Sequence, residues 1–361
     1  MKKIICCIMA LTMCLGIFTS CGNEKAEETT AAVTETTAEP TTEAPLDEKT
    51  NLLTGNPTLS KGAIGKRPVA VMINNIRQSL PQYGIAAADI LFEIEVEGGI
   101  TRMMAVYGDY TKIPNVCSIR SCRYYFPIFA AGFDAIYLCY GCNETLGAPT
   151  LKRLNIDYID GNDGNPVFGR DQERLQSYSL EHTAYLKGEK VPETLKSEGM
   201  RTEINDRTPF FNFNESAKKL SKTKSEKAVL DFSEYYYSTF EYDAQTKTYV
   251  KYHNGTEHMD QTAGKQLSFT NVIILTTSVK SYKKTILREV NWKGGNGYIL
   301  SRGTVKKIKW SKADEMSRII LTDVNGREIS INKGKSYIGV LNPGDVHLTV
   351  VKPETTSAAV S

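Results

Sequence analysis

Four arginines and one histidine carry the clearest chemical signal in this chain. Arg120 and Arg123 flank Ser121 in Ile119-Arg120-Ser121-Cys122-Arg123. Arg170-Asp171-Gln172-Glu173-Arg174 follows a Gly/Asn-rich stretch from Gly161 to Gly169, and His182 comes shortly after. Guanidinium groups present forked donors that suit phosphate and carboxylate oxygens. Brought together, they repel one another unless an anion or paired acids sit between them. The expected site is therefore an anion or ligand site built from Arg120, Arg123, Arg170, Arg174 and Ser121. His182, Glu95, Glu97 and Asp171 are its candidate acid/base groups or ligand contacts. A helix starting near Ser121 would add its N-terminal amides. The competing reading is a structural network, with Asp171, Glu173 and Glu181 neutralising the arginines internally.

A second constellation is acidic. Phe92, Ile94 and Val96 alternate with Glu93, Glu95 and Glu97, the pattern of a strand with one apolar face. Side chains two apart on a strand project about 6.6–6.8 Å apart. A retaining glycosidase needs its carboxylates about 5–5.5 Å apart across a sugar ring, so this spacing does not point to that chemistry. Gly98-Gly99 predicts a two-residue hairpin turn. That register sets Glu95 opposite Arg102 as a cross-strand ion pair on a solvated or ion-paired face.

Cys117, Cys122, Cys139 and Cys142 are spaced C-x4-C and C-x2-C. A four-thiolate zinc site, a disulfide, and thiols packed as small hydrophobes all remain open. The strand-like Ala135-Ile136-Tyr137-Leu138 before Cys139 argues against a zinc knuckle, so no metal is assigned. His258 lies two residues before Asp260, a spacing that fits a loop hydrogen bond better than a metal ligand pair. No cofactor is expected. Gly294-Gly295-Asn296-Gly297 lacks the Lys and Ser/Thr of a P-loop and reads as a hairpin loop.

These groups need a scaffold. Val69 to Ile73 is an unbroken apolar run, as in a strand buried on both faces. Thr239 to Asp243 and Thr248 to Tyr252 read as a hairpin, and Asn271 to Thr277 as a buried strand. Asn325-Gly326 is a strong turn signal. Helical periodicity nearly vanishes after Lys227. The fold class expected is α+β: an N-terminal mixed α/β domain with a sheet over 51–215, then a smaller antiparallel β-rich domain over 228–351. Residues 352–361 are expected to be a disordered tail.

The start of the chain sets location. Lys2-Lys3, an apolar run from Ile4 to Phe18, and Thr19-Ser20-Cys21-Gly22 resemble a bacterial lipoprotein signal over 1–20. That pattern implies cleavage before Cys21 and acylation of its thiol, such as by palmitate. The run is short of the roughly 20 apolar residues that span a bilayer. Residues 21–50 are Thr-rich and acidic without an aromatic residue, a composition expected to stay disordered. The whole chain carries a formal charge of +3. Without a dense basic stripe, no nucleic-acid partner is expected. The expected setting is the outer face of the cell membrane, with the lipid membrane engaged through Cys21.

The ordered string RPVAVMINN, ADILFEIEVEGGITRMMAVY, IRSCRYYF, DAIYLCYG, FGRDQER and LEHTAYL resembles the YerB-like lipoproteins. The resemblance covers nearly all of the chain after the linker. It implies an exported protein of a Gram-positive bacterium with a paired domain of unknown function. The family pattern usually has Gly and Ala where this chain has Cys117 and Cys122, and His and Gly near Cys139 and Cys142. The thiols are therefore not a family-wide site. Three functions compete. The first is a binding or accessory module of the cell envelope, with a wall polymer or envelope protein as partner. The second is a hydrolase or transferase on cell-wall or phosphorylated substrates. The third is a transporter-linked solute receptor. The lack of a nucleophile elbow, HExxH or transpeptidase Cys motif favours the first.

Overall fold

A computed structural model describes residues 46–351. The expected signal, the lipid site Cys21, the linker up to residue 45 and the tail from 352 lie outside the described residues.

The first segment supplies five strands: β1 (Val69–Asn74), β2 (Ile90–Glu95), β3 (Thr101–Tyr107), β4 (Ile136–Cys139) and β5 (Tyr158–Asp160). The second supplies β6 (Lys224–Asp231), β7 (Tyr237–Asp243), β8 (Thr248–His253), β9 (Asn271–Thr276), β10 (Gly294–Ser301), β11 (Thr304–Ser311), β12 (Ser336–Leu341) and β13 (Val346–Val351). The fold is strand-rich, and these strands join one large mixed sheet. Its order is β8-β7-β6-β11-β10-β9-β12-β2-β3-β1-β4-β5, with β13 paired to β6. Both sequence segments contribute to it. Within this sheet the second segment is antiparallel except at β12, which runs parallel to both β9 and β2. A hairpin-by-hairpin reading could not foresee that parallel insertion, because its partner β2 is far away in sequence.

Each face of the sheet buries its own core. On one face, Phe92, Ile94 and Val96 pack with Met104, Val106, Ile299 and Trp310. Helix α1 (Tyr125–Ala131) is apolar all round and fully buried there, as a helix inside a core must be. Its Phe129 stacks on Phe92 at 5.5 Å and meets Trp310 at 6.3 Å, so it bridges the two segments. On the other face, Val71, Ile73, Leu91 and Met103 pack with Phe240, Tyr249 and Tyr337. Helix α2 (Gly147–Leu154) turns Leu151 and Leu154 inward and ends on Asn155 at φ 49°, a left-handed cap.

Three sequence expectations are corrected. The β2–β3 turn spans Glu97–Gly99, with Gly98 and Gly99 both at positive φ and the Val96 amide donating to the Ile100 carbonyl. The register is then Ile94 opposite Arg102 and Glu95 opposite Thr101. One residue of slip reverses every face. Glu95 and Arg102 therefore lie on opposite faces and do not pair. Helix α1 starts at Tyr125, so Arg120 and Ser121 precede it as extended chain and receive no helix N-terminus. The Gly294–Gly297 cluster is the start of β10 and not a loop. A Cβ on Gly295 would collide with the Thr276 carbonyl oxygen of the neighbouring strand, which explains the glycine.

Candidate functional site

β1, β4 and β5 are parallel, so Asn74, Cys139 and Asp160 end at the same edge of the sheet. Such carboxyl edges are where open α/β sheets gather ligand groups. The segment Ile119–Cys122 crosses this edge. The Arg120 amide donates to the Met72 carbonyl, the Tyr140 amide to the Arg120 carbonyl, and the Cys122 amide to the Gly141 carbonyl. These bonds fix where Arg120 and Ser121 stand.

The predicted arginines separate into two groups. Arg120 and Arg170 both reach the turn that carries His182, at the carbonyls of Glu181 and Leu180. Arg120 pairs with Glu181 at 2.9 Å, and Arg170 donates to the Leu180 carbonyl at 2.7 Å while stacking 4.5 Å over the Tyr140 ring. Arg123 is held instead in a two-pronged pair with Glu97. Arg102, which the two-residue hairpin register assigns to Glu95, joins this second group. It donates to the Ser121 carbonyl at 2.6 Å and lies 3.5 Å from Glu97. Arg174 leaves the group. It is buried against Tyr83 and Tyr178 and donates to the carbonyls of Ser79 and Pro81. Asp171 accepts from the Tyr83 hydroxyl and from the amides of Glu173 and Arg174, a turn-forming role. Glu95 pairs with Arg288 from the second segment.

The electrostatics of the arginine group are lopsided. Arg102 is 3% exposed, and burial together with repulsion from Arg123 and Arg120 pulls its guanidinium down to about 10. Burial works against ionisation of Glu97, yet the Arg123 bond and the charges of Arg102 and Arg123 hold it at about 2. Arg102, Arg120 and Arg123 thus share Glu97 and the largely exposed Glu181, and Arg170 has no carboxylate within ion-pair distance among the described residues. The Nε of Arg120 is buried without a partner. Burial, with Arg120 and Arg174 nearby, pushes His182 below its ordinary range against the pull of Glu181. Neutral His182 accepts at Nδ1 from the Asn74 amide at 3.0 Å, which leaves its proton on Nε2.

Behind Asn74 lies a polar network that sequence reasoning missed. Gln82 donates to the Asn74 carbonyl and to the Asn75 side chain, and Asn75 donates to Glu93 at 2.9 Å. Glu93 is 1% exposed. It also accepts from Thr101, Ser238 and Tyr337 and pairs with Lys251 at 3.2 Å. Lys251 is itself fully buried and donates to Nδ1 of His258, whose Nε2 donates to Gln82 at 2.8 Å. Burial favours a neutral Glu93, but the charge of Lys251 and the Tyr337 and Ser238 hydroxyls outweigh it and keep its pKa low. The face that carries Glu93 is therefore ion-paired and not solvated. It is the joint between the two segments. The spacing of His258 suggests a loop residue, yet it is a core group. The alternation of acids in β2 was the visible signal, and its meaning depended on strands more than a hundred residues away.

Among the described residues no helix is long and apolar enough to cross a membrane. Cavities of about 330 Å³ beside Tyr124, Arg153 and Tyr282, and about 290 Å³ beside Ala86, Asp260 and Lys335, are not lined by Arg102, Arg120, Arg123 or Arg170. Arg120, Ser121, Arg123 and Arg170 are half-buried, while Arg102 is buried.

Comparison with known proteins gives the class first. Residues 53–201 match the N-terminal domain, and residues 228–338 the C-terminal domain, of a family described as a protein of unknown function, DUF3048. The chain belongs to this family, that of the YerB-like proteins. It is 27% identical over 318 residues to the Bacillus subtilis (strain 168) protein named "Putative lipoprotein YerB", covering 86% of this chain and 88% of that one. The crystal structure of the YerB protein from Bacillus subtilis superposes with a TM-score of 0.70 over 83% of this chain and 98% of that chain, at 24% identity. That likeness speaks for the shared fold.

Proposed function

We propose that this protein is an envelope lipoprotein, held on the outer face of the cell membrane through acylated Cys21, that binds an anionic ligand or partner at Arg120, Arg170 and Ser121. The observation that carries the binding reading is the excess of guanidinium at the carboxyl edge of β1, β4 and β5. Two arginines on Glu97 and a third on the largely exposed Glu181, with Arg170 unpaired by any carboxylate among the described residues, favour a bound anion as the missing counter-charge. Arg123 and Arg102 brace the rim through Glu97, and Asn74 orients His182 beside it. Phosphate groups of a wall polymer and carboxylates of an envelope peptide share the chemistry this rim recognises. Arg174 and Asp171 serve the scaffold.

The test is a titration of the full chain with phosphate, sulfate and a glycerol-phosphate polymer fragment, read by melting temperature. A ligand at 100 times its Kd stabilises by about 2.7 kcal/mol, a readable shift. The double variant Arg120→Ala/Arg170→Ala is expected to lose that shift while melting near the wild-type temperature in plain buffer. No shift with any of these anions at millimolar levels rejects the anion reading. Location is tested apart. The Cys21→Ser variant is expected to take up no labelled fatty acid and to appear as an uncleaved or released form, and a variant that still labels and fractionates with membranes would end the lipoprotein reading.

A further inference from the structure

Cys122 and Cys142 face one another. They form a parallel bridge across the carboxyl edge, with the Cys122 amide bonded to the Gly141 carbonyl. Residues opposed on neighbouring strands lie about 4.7–4.9 Å apart, inside the roughly 4.4–6.8 Å between Cα atoms that a disulfide spans. Gly147 marks the meeting point of the side chains. A Cβ there would stand 2.7 Å from the Cys142 sulfur and 3.6 Å from that of Cys122. The missing side chain leaves room for both sulfurs. Cys117 lies apart, its thiol directed at the His182 carbonyl.

We propose that Cys122 and Cys142 form a disulfide that clamps the arginine-bearing segment to the loop leading into α2. This bond does not depend on the anion reading. The two cysteines differ in a way that orders the chemistry. Cys142 is half-buried and reachable, whereas Cys122 is fully buried. The contact with Cys122 lowers the Cys142 thiol, while burial raises that of Cys122. The oxidant is a disulfide, either of low molecular weight or carried by a thiol oxidase. The Cys142 thiolate attacks one of its sulfurs and expels a thiolate, leaving a mixed disulfide on Cys142. The Cys122 thiolate then attacks the Cys142 sulfur and expels the second thiolate. The two protons lost by the cysteines end on the two released thiols, and two electrons pass from protein to oxidant. The new bond lies between Arg123, whose guanidinium donates to the Cys122 carbonyl, and Ser121, whose carbonyl accepts from Arg102. It therefore fixes the backbone on which the rim is built.

The experiment equilibrates the full chain in glutathione buffers from fully reduced to fully oxidised. Samples are quenched in acid, remaining thiols are blocked, and the digest is mapped by mass spectrometry without reduction. The expected product is one linked peptide pair containing Cys122 and Cys142. C122S and C142S should each abolish it, and C117S and C139S should each leave it intact. A Cys139–Cys142 link, glutathione held on Cys142 without resolution, or thiols at both positions still free in the most oxidising buffer would overturn the proposal.

Discussion

Lys251→Ala is expected to destabilise the fold by about 3–5 kcal/mol, the cost of leaving a buried carboxylate without its cation. Lys251 and Glu93 are both shut off from solvent and lie 3.2 Å apart at the joint of the two segments. Truncating the lysine strands Glu93 among Phe240 and Tyr337, and it removes the donor to His258. Replacing both members, as Glu93→Gln with Lys251→Ala, should cost clearly less than the sum of the single changes, because no lone charge remains. Urea unfolding of the four proteins measures this coupling. A loss below about 1 kcal/mol for Lys251→Ala contradicts the network as described.

The second large effect is with pH. Burial, and then the charge of Lys251, depress His253 from 6.5 to about 4, and His258 is pushed down by the same causes. Above pH 6.5 these imidazoles are neutral in both states, so their contribution to stability is whole. Between pH 6.5 and 4 the unfolded chain takes up protons that the folded protein refuses, so stability falls as the pH falls. The shift of His253 corresponds to roughly 3 kcal/mol across that window, lost as pH drops and no further below about 4. The carboxylates with depressed pKa values, Glu93 and Glu97, act lower. Glu93, with its depressed pKa, loses its contribution only below about 4.5, the unfolded value. Urea midpoints at intervals from about pH 7 to about pH 4 should therefore drop before these carboxylates titrate. His253→Gln should flatten that limb, and a midpoint constant over that range would contradict the buried neutral histidines.

What the sequence made legible was local. The apolar run of β1, the inward Phe92, Ile94 and Val96, and the β7–β8 hairpin each depend on near neighbours, and each stands where the pattern put it. The two-part layout also fits the split between the two family matches. What was hidden depends on distance. Glu93 looks like an outward acid because alternation assumes a single buried face. Here β2 is buried on both, the second by Phe240 and Tyr337 of the other segment. Lys251 carries no local mark of burial at all. The arginines were legible as residue types. Their partition was not, since Arg174 is taken up by backbone carbonyls that no side-chain pattern announces. The misread β2–β3 register shows how little separates two answers. One more residue in the turn sends Arg102 to the arginine group and not to Glu95.

The parallel insertion of β12 between β9 and β2 governs the order in which the molecule is completed. The ribosome makes β2 early and β12 nearly last. Until residues 336–341 emerge, β2 presents a bare, apolar edge with open amides and carbonyls, the feature that invites pairing with a stranger. Glu93 waits through the same interval for Tyr337 and Lys251. A nascent chain of this kind depends on being kept apart from its neighbours while it is unfinished. The first segment alone is consequently an unfinished sheet and not a module that a genome could shuffle or a laboratory could excise. That gives a physical reason for the two halves to be inherited together.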